Sequence, residues 1–153
     1  MKMITQLVML FFSIHQNIYA AGDLSRQEPL DIEIDMTSTG GSHLFSPALI
    51  RLETGKLYRI ILRNNSQVKH YFSSPRFAKA VFTRKVQVLK NGERLAEIKG
   101  DILDIEVFPN SVAEWWVVPI QVGEFKDLHC YVRDTKSQKK HADMGMVGTI
   151  IVY

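Results

Sequence analysis

The sequence predicts an all-β domain, an antiparallel β-sandwich with one short helix, and three observations carry that expectation. Leu30-Asp31-Ile32-Glu33-Ile34-Asp35-Met36 alternates apolar and acidic residues without a break, the period of a strand with one face on a core. Short apolar runs then recur along the chain, separated by Gly, Asn and Pro turn signals. Finally, 153 residues with 46% hydrophobic and 23% charged side chains make a single globular core. Many short strands with at most one helix fit a sandwich.

The elements follow in order. After Leu30 to Met36, Thr37 to Ser42 with Gly40-Gly41 reads as a turn or loop. Ala48 to Leu52 and Leu57 to Leu62 are strands around the Glu53-Thr54-Gly55-Lys56 turn, and Asn64-Asn65-Ser66 ends the second. Ser74-Pro75 suits a helix start, Ser at the cap and Pro in the first turn, with Phe77, Val81 and Phe82 facing inward. Val86 to Leu89 and Arg94 to Ile98 flank Asn91-Gly92, the signature of a tight hairpin. Further strands are expected at Ile102 to Phe108, Ser111 to Val118, Phe125 to Tyr131 and Val147 to Tyr153.

Composition also excludes. There is no internal repeat or low-complexity tract, and a net charge of +3 is mild. Basic residues are dispersed among acidic ones, so no nucleic-acid surface is indicated. The first twenty residues differ from the rest. Lys2 precedes a nearly wholly apolar stretch from Met3 to Ile14, and Ile18-Tyr19-Ala20 leaves a small residue at the end. That is the layout of a secretory signal peptide cleaved after Ala20, giving a signal over 1–20, one domain over 21–153 and no membrane span after cleavage. The expected location is the periplasm or outside the cell.

Chemistry collects in the C-terminal part. Cys130 is the single cysteine, so it cannot close an internal disulfide. It ends the run Gly123 to Cys130, and the connection to the last strand carries His141, Met144 and Met146. A further imidazole, His70, follows the Leu57 to Leu62 strand. Soft sulfur with two imidazoles suits copper, and a His₂Cys set with a weak axial Met marks a type 1 electron-transfer site. Taken singly, the cysteine could be a small buried apolar group and either methionine core filler. The order is what carries the reading: an early His, then Cys, His and Met in one late connection.

On these residues the chain resembles the cupredoxins, the blue copper family of plastocyanin, pseudoazurin, azurin and the type 1 domains of copper nitrite reductase. Phe45-Ser46-Pro47 with Leu49, Leu52 and Gly55 is similar to the family's opening strands. Asn64-Asn65 and His70-Tyr71-Phe72 match its first-histidine segment, and Val107-Phe108-Pro109 with Gly123-Glu124-Phe125 its approach to the cysteine strand. His141 to Gly148 matches His-x-x-x-Gly-Met-x-Gly. The resemblance implies a Greek-key sandwich holding one copper ion per chain, with His70, Cys130, His141 and Met146 as ligands. Met144 competes with Met146 for the axial role, and the Gly-Met-x-Gly match favours Met146. His43 and His129 have no counterpart among the ligands and are expected to be surface or satisfied core histidines.

The implied function is a periplasmic, mononuclear, monomeric electron carrier rather than an enzyme. His141 would be the surface port for electrons. Residues 131–140 form an unusually long connection that could open the site to external ligands. Its Arg133, Lys136, Lys139 and Lys140 could steer an acidic redox partner. The alternative is copper handling, the storage or delivery of Cu(I), for which two thioethers and an open loop would serve.

Overall fold

The computed structural model describes residues 27–153, so the expected leader over 1–20 and its cleavage point lie outside the described residues. Among the described residues, eleven strands form two packed sheets, accompanied by one short helix. The strands are β1 (Leu30–Thr39), β2 (Ser42–Ser46), β3 (Leu49–Leu52), β4 (Tyr58–Asn64), β5 (His70–Ser73), β6 (Val81–Lys90), β7 (Glu93–Ile98), β8 (Asp104–Val107), β9 (Ser111–Pro119), β10 (Gly123–His129) and β11 (Val147–Val152). Helix α1 is Pro75–Ala78, and a 3₁₀ turn covers His141–Met144. One sheet runs β2-β1-β4-β9-β6-β7 and the other β3-β11-β10-β5-β8. The all-β sandwich is thus as the sequence predicts. Pairing is antiparallel except for β1 with β4 and β3 with β11, which are parallel, so each sheet is mixed.

The alternation in β1 works as expected. Ile34 and Met36 are buried against the opposite sheet, while Asp31, Glu33 and Asp35 point away from the core. On that outer face the acids meet basic residues of β4: Arg59 pairs with Asp31, and Arg63 with Glu33 at 3.2 Å. Exposed pairs of this kind add little stability, but they suit one register. Between the sheets, Trp115 stands edge-on to Phe72 and Phe77, and its indole N–H donates to Thr83 Oγ1 at 3.1 Å. The largest apolar side chain is therefore buried with its polar atom satisfied.

Three local differences from the sequence reading matter. The turn or loop read over 37–42 is confined to Gly40-Gly41: β1 continues to Thr39, and the two glycines close a tight hairpin onto β2 with Thr39 opposite Ser42. Both glycines have positive φ, 61° and 83°, which a two-residue hairpin turn needs. His70 opens a strand of its own, β5, between β10 and β8. At α1, Phe77 and Val81 are buried but Phe82 is half-exposed, because the chain has already entered β6. Ser74 does not cap that helix. Asp127 of β10 does, accepting the Arg76 N–H at 2.8 Å and the Ser74 hydroxyl at 2.8 Å.

At Gly148 three strands come together. A Cβ there would lie 2.7 Å from the Ala48 carbonyl oxygen and 2.7 Å from Leu128 Cδ2. Neither neighbour can yield easily, since one is backbone and the other fully buried. Gly148→Ala is therefore expected to destabilise the fold by roughly 1–3 kcal/mol, the usual cost of overpacking. Denaturant midpoints measure it, and an unchanged midpoint would show that the β3–β11–β10 approach is looser than described.

Candidate metal centre

The site forms where the two sheets meet at one end of the sandwich. Its first residue, His70, begins β5 opposite Val107 of β8. The connection that delivers it is held by Asn64, whose side-chain amide donates to the carbonyls of Val68 and Val107, both at 2.8 Å. Asn64 Oδ1 in turn accepts the Ser66 N–H and hydroxyl at 3.0 and 2.7 Å. This buried asparagine has its polar atoms satisfied, and it ties β4 to the segment that carries His70.

The same network orients the His70 ring. Ser66 Oγ lies 2.9 Å from His70 Nε2, and both its oxygen neighbours, Asn64 Oδ1 and the Val68 carbonyl, can only accept. The hydroxyl proton therefore goes to one of them, and the His70 Nε2–H donates to Ser66. That leaves the Nδ1 lone pair facing the site.

Cys130 follows β10 directly, and the connection 131–140 folds back on itself. Arg133 bridges to Lys140, the Asp134 N–H donates to the Lys139 carbonyl at 2.9 Å, and Asp134 Oδ1 accepts the N–H groups of Lys136 and Ser137. Its extra length is spent in a closed hairpin. His141 accordingly returns beside Cys130: its N–H donates to the Val132 carbonyl at 2.8 Å, and the Ala142 N–H to the Cys130 carbonyl at 2.9 Å. The length of this connection, which could have opened the site, leaves His141 buried. Gly145, at φ 107°, then reverses the chain in a left-handed conformation, and the Met146 N–H and carbonyl bond to His141 and Cys130.

Three of the four sequence-predicted residues meet directly. His70 Nδ1 and His141 Nδ1 are 3.1 Å apart, and Cys130 Sγ is 3.9 and 3.5 Å from them. The fourth, Met146, is fully buried in the same apolar cluster as Cys130, while Met144 is half-buried and accepts the Ser137 hydroxyl at 3.6 Å. The Tyr71 N–H donates to Sγ at 3.3 Å. The donor set fits a first-row metal. With bonds of about 2.0 Å to nitrogen and 2.3 Å to sulfur, two nitrogens on one ion stand at most ~4.0 Å apart, and nitrogen and sulfur ~4.3 Å. All three separations fall inside those limits, and a soft thiolate with two imidazoles fits copper in particular.

His43, expected to be a surface or satisfied core histidine, is hydrogen-bonded to Ser38 and lies beside the site. It is buried on β2, and its ligand atom lies with those of His70 and His141 inside a 4.8 Å cluster. His43 and Phe45 point inward from β2, two residues apart, so reading Ser42 to Ser46 as a strand would have found it. His129 stays half-buried outside the cluster, its Nδ1–H donating to the Asp127 carbonyl at 2.8 Å. His141 is only 1% exposed, so the expected surface port is covered.

The chain matches no protein-family model and none of the curated proteins. Solved structures do match. A multicopper oxidase from Campylobacter jejuni, a metallo-oxidase, aligns with 82% of this chain and 30% of its own at 19% identity and a TM-score of 0.55. A copper-containing nitrite reductase from Thermus scotoductus aligns with 85% of this chain and 32% of its own at 15% identity and a TM-score of 0.59. A copper nitrite reductase from Nitrosomonas europaea gives 82% and 48% at 10% identity and a TM-score of 0.52. The fold is cupredoxin-like. This cupredoxin-like chain spans less than half the length of each of these neighbours. They are copper enzymes, which corrects the expectation that the chain is not an enzyme: the fold gives no ground for that exclusion. Among the described residues no helix is long and apolar enough to cross a membrane.

Burial sets the protonation of the site. His70 is pushed down to about 4, chiefly by burial and then by its neighbours His141 and His43. His141 is likewise pushed down to about 4 by burial and then by His43. Burial raises the Cys130 thiol, opposed by the backbone N–H groups of Tyr71 and Val132. Without metal, then, the imidazoles are neutral and the thiol keeps its proton, which a metal ion would displace on binding. Unfolding exposes imidazoles that protonate near pH 6.5, so between about 4 and 6.5 the unfolded chain holds the extra protons. Stability of the metal-free chain should accordingly fall as pH drops through that window, by at most ~1.4 kcal/mol per pH unit for each histidine. Urea midpoints across the window test this, and a flat profile would contradict the burial of two neutral rings.

Proposed function

We propose that this chain is a type 1 copper domain that carries single electrons, in which His70 Nδ1, Cys130 Sγ and His141 Nδ1 would hold the ion with Met146 as a further, weaker thioether donor. The observation that carries the reading is the convergence of these three atoms in a buried pocket. Copper bound there would supply a one-electron couple between Cu(II) and Cu(I).

The chain's own residues do the rest. The Ser66 hydroxyl fixes the His70 tautomer and ring direction, and the Tyr71 N–H to Sγ stabilises negative charge on the sulfur. The loop hairpin and the 3₁₀ turn hold His141 against the strand that carries Cys130. Ligands held this firmly move little when the metal changes charge, which favours fast electron transfer. Burial also weighs against the alternative of copper delivery, since a carrier must let its ion out.

Around the loop, exposed Arg133, Lys136, Lys139 and Lys140 offer a basic rim suited to an acidic redox partner. The apolar N-terminal segment supports work in the periplasm. The reading concerns the site, and it holds whether the sandwich works alone or as one domain of a copper enzyme.

One Cu(II) per chain should give an intense visible band from thiolate-to-copper charge transfer. Cys130→Ser should abolish the band and leave the β-sandwich folded, as read by circular dichroism. Stoichiometric copper without a band would sink electron transfer and promote copper handling. A second test separates the methionines. Met146→Leu should keep the colour and raise the reduction potential by tens of millivolts, where about 59 mV is tenfold in a one-electron equilibrium. Met144→Leu should change it little. A reversed pattern in a spectroscopic redox titration would move the axial role to Met144.

A further inference from the structure

His43 joins the site from the other sheet. It sits on β2, at the edge of the six-stranded sheet, whereas β5, β10 and β11 belong to the five-stranded one. Its ring lies flat on His141, centroids 3.6 Å apart and planes 15° from parallel, and edge-on to His70 at 5.6 Å. Directly across the β1–β2 hairpin stands Ser38, whose Oγ is 2.7 Å from His43 Nδ1 and 3.1 Å from His70 Nε2. One residue therefore contacts both imidazoles: His141 through its face, and His70 through a shared hydroxyl.

Ring geometry and proton placement both keep His43 from being a ligand itself. An imidazole binds a metal along a lone pair in its ring plane. In rings this nearly parallel the lone pairs run side by side, and they cannot converge on an ion about 2.0 Å from each nitrogen. Ser66 draws the His70 Nε2–H, and Ser38 Oγ shares it, so the Ser38 hydroxyl is left with its own proton for His43 Nδ1. His43 then carries its hydrogen on Nε2 and has no free lone pair to offer.

We propose that His43 is a positioning residue of the metal centre, which holds the rings of His141 and His70 in register and shuts the His141 face against external ligands. The proposal rests on reading His70, Cys130 and His141 as the metal ligands. The main chain is built for the contact as well. A Cβ on Gly145 would stand 3.3 Å from the His43 carbonyl and 3.4 Å from Leu44 Cδ2, so the glycine lets β2 approach the turn that carries His141. His43 at 5% and His141 at 1% exposure show how completely the stack is covered.

The test compares the wild-type chain with His43→Ala and His43→Phe, the second keeping a flat ring over His141. Each Cu(II)-loaded protein is titrated with imidazole while its visible and paramagnetic spectra are followed. Separately, the ring-proton resonances of His141 are recorded by NMR in the metal-free proteins. His43→Ala should take up imidazole at concentrations at least tenfold lower than wild type, with copper still at one per chain, and His43→Phe should resist as wild type does. In the metal-free chain, His141 should lose its ring-current shift in His43→Ala and keep one in His43→Phe. An His43→Ala protein with wild-type imidazole response and unmoved His141 resonances would overturn the proposal. So would loss of copper from both folded variants, which would make His43 a ligand. A wild-type chain that takes no copper, yet shows the expected resonance shifts, would uphold the positioning role and bring down the copper reading alone.

Discussion

Three lone-pair donors face one another in the dry end of this sandwich, and the rest of the structure is arranged to hold them there. His70 Nδ1, His141 Nδ1 and Cys130 Sγ lie within 3.1 to 3.9 Å, buried, with little to bond except each other. Burying polar groups that are only partly satisfied costs free energy. The cost is met by well-paired surroundings: the fully bonded Asn64, the Ser66 and Ser38 hydroxyls on His70, and the backbone bonds that lock residues 130, 141 and 146 together. An ion that accepted all three donors at once would bind the folded chain alone, and its binding would add to folding stability.

The geometry comes from both sheets. The five-stranded sheet supplies His70 at the start of β5 and Cys130 just after β10, while the edge of the six-stranded sheet supplies His43. Because β2 packs on the 141–144 turn, His43 and the His141 ring it covers come from opposite layers. Packing between layers, rather than any local motif, thus decides how exposed His141 is. The same packing explains why the long 131–140 connection does not loosen the site: its length is taken up in a hairpin that leaves Cys130 and His141 joined by backbone bonds.

Much of this was legible in the sequence, for identifiable reasons. The apolar–acidic alternation of 30–36 and the Asn91-Gly92 turn are local signals, and both elements form where those signals stand. His70, Cys130 and His141 were legible as an ordered set of soft and imidazole donors whose side chains the fold brings together, while Met146 joins them through its backbone bonds to Cys130 and His141. The strand β2 was hidden by the Gly40-Gly41 turn beside it, and with it the inward direction of His43. Burial of His141 could not be read at all, since it depends on a stacking contact between residues far apart in the chain. Likewise the helix at Pro75 takes its cap from Asp127, a partner that only the tertiary fold brings near.

X-ray absorption at the copper edge of the loaded chain tests the central claim most directly, because it reads the ligands of the ion itself. The account predicts one short copper–sulfur path, two imidazole nitrogens, and the same shells in Cu(I) and Cu(II) with small changes in distance. A first shell of nitrogen and oxygen with no sulfur, or a third imidazole in place of Cys130, would contradict it.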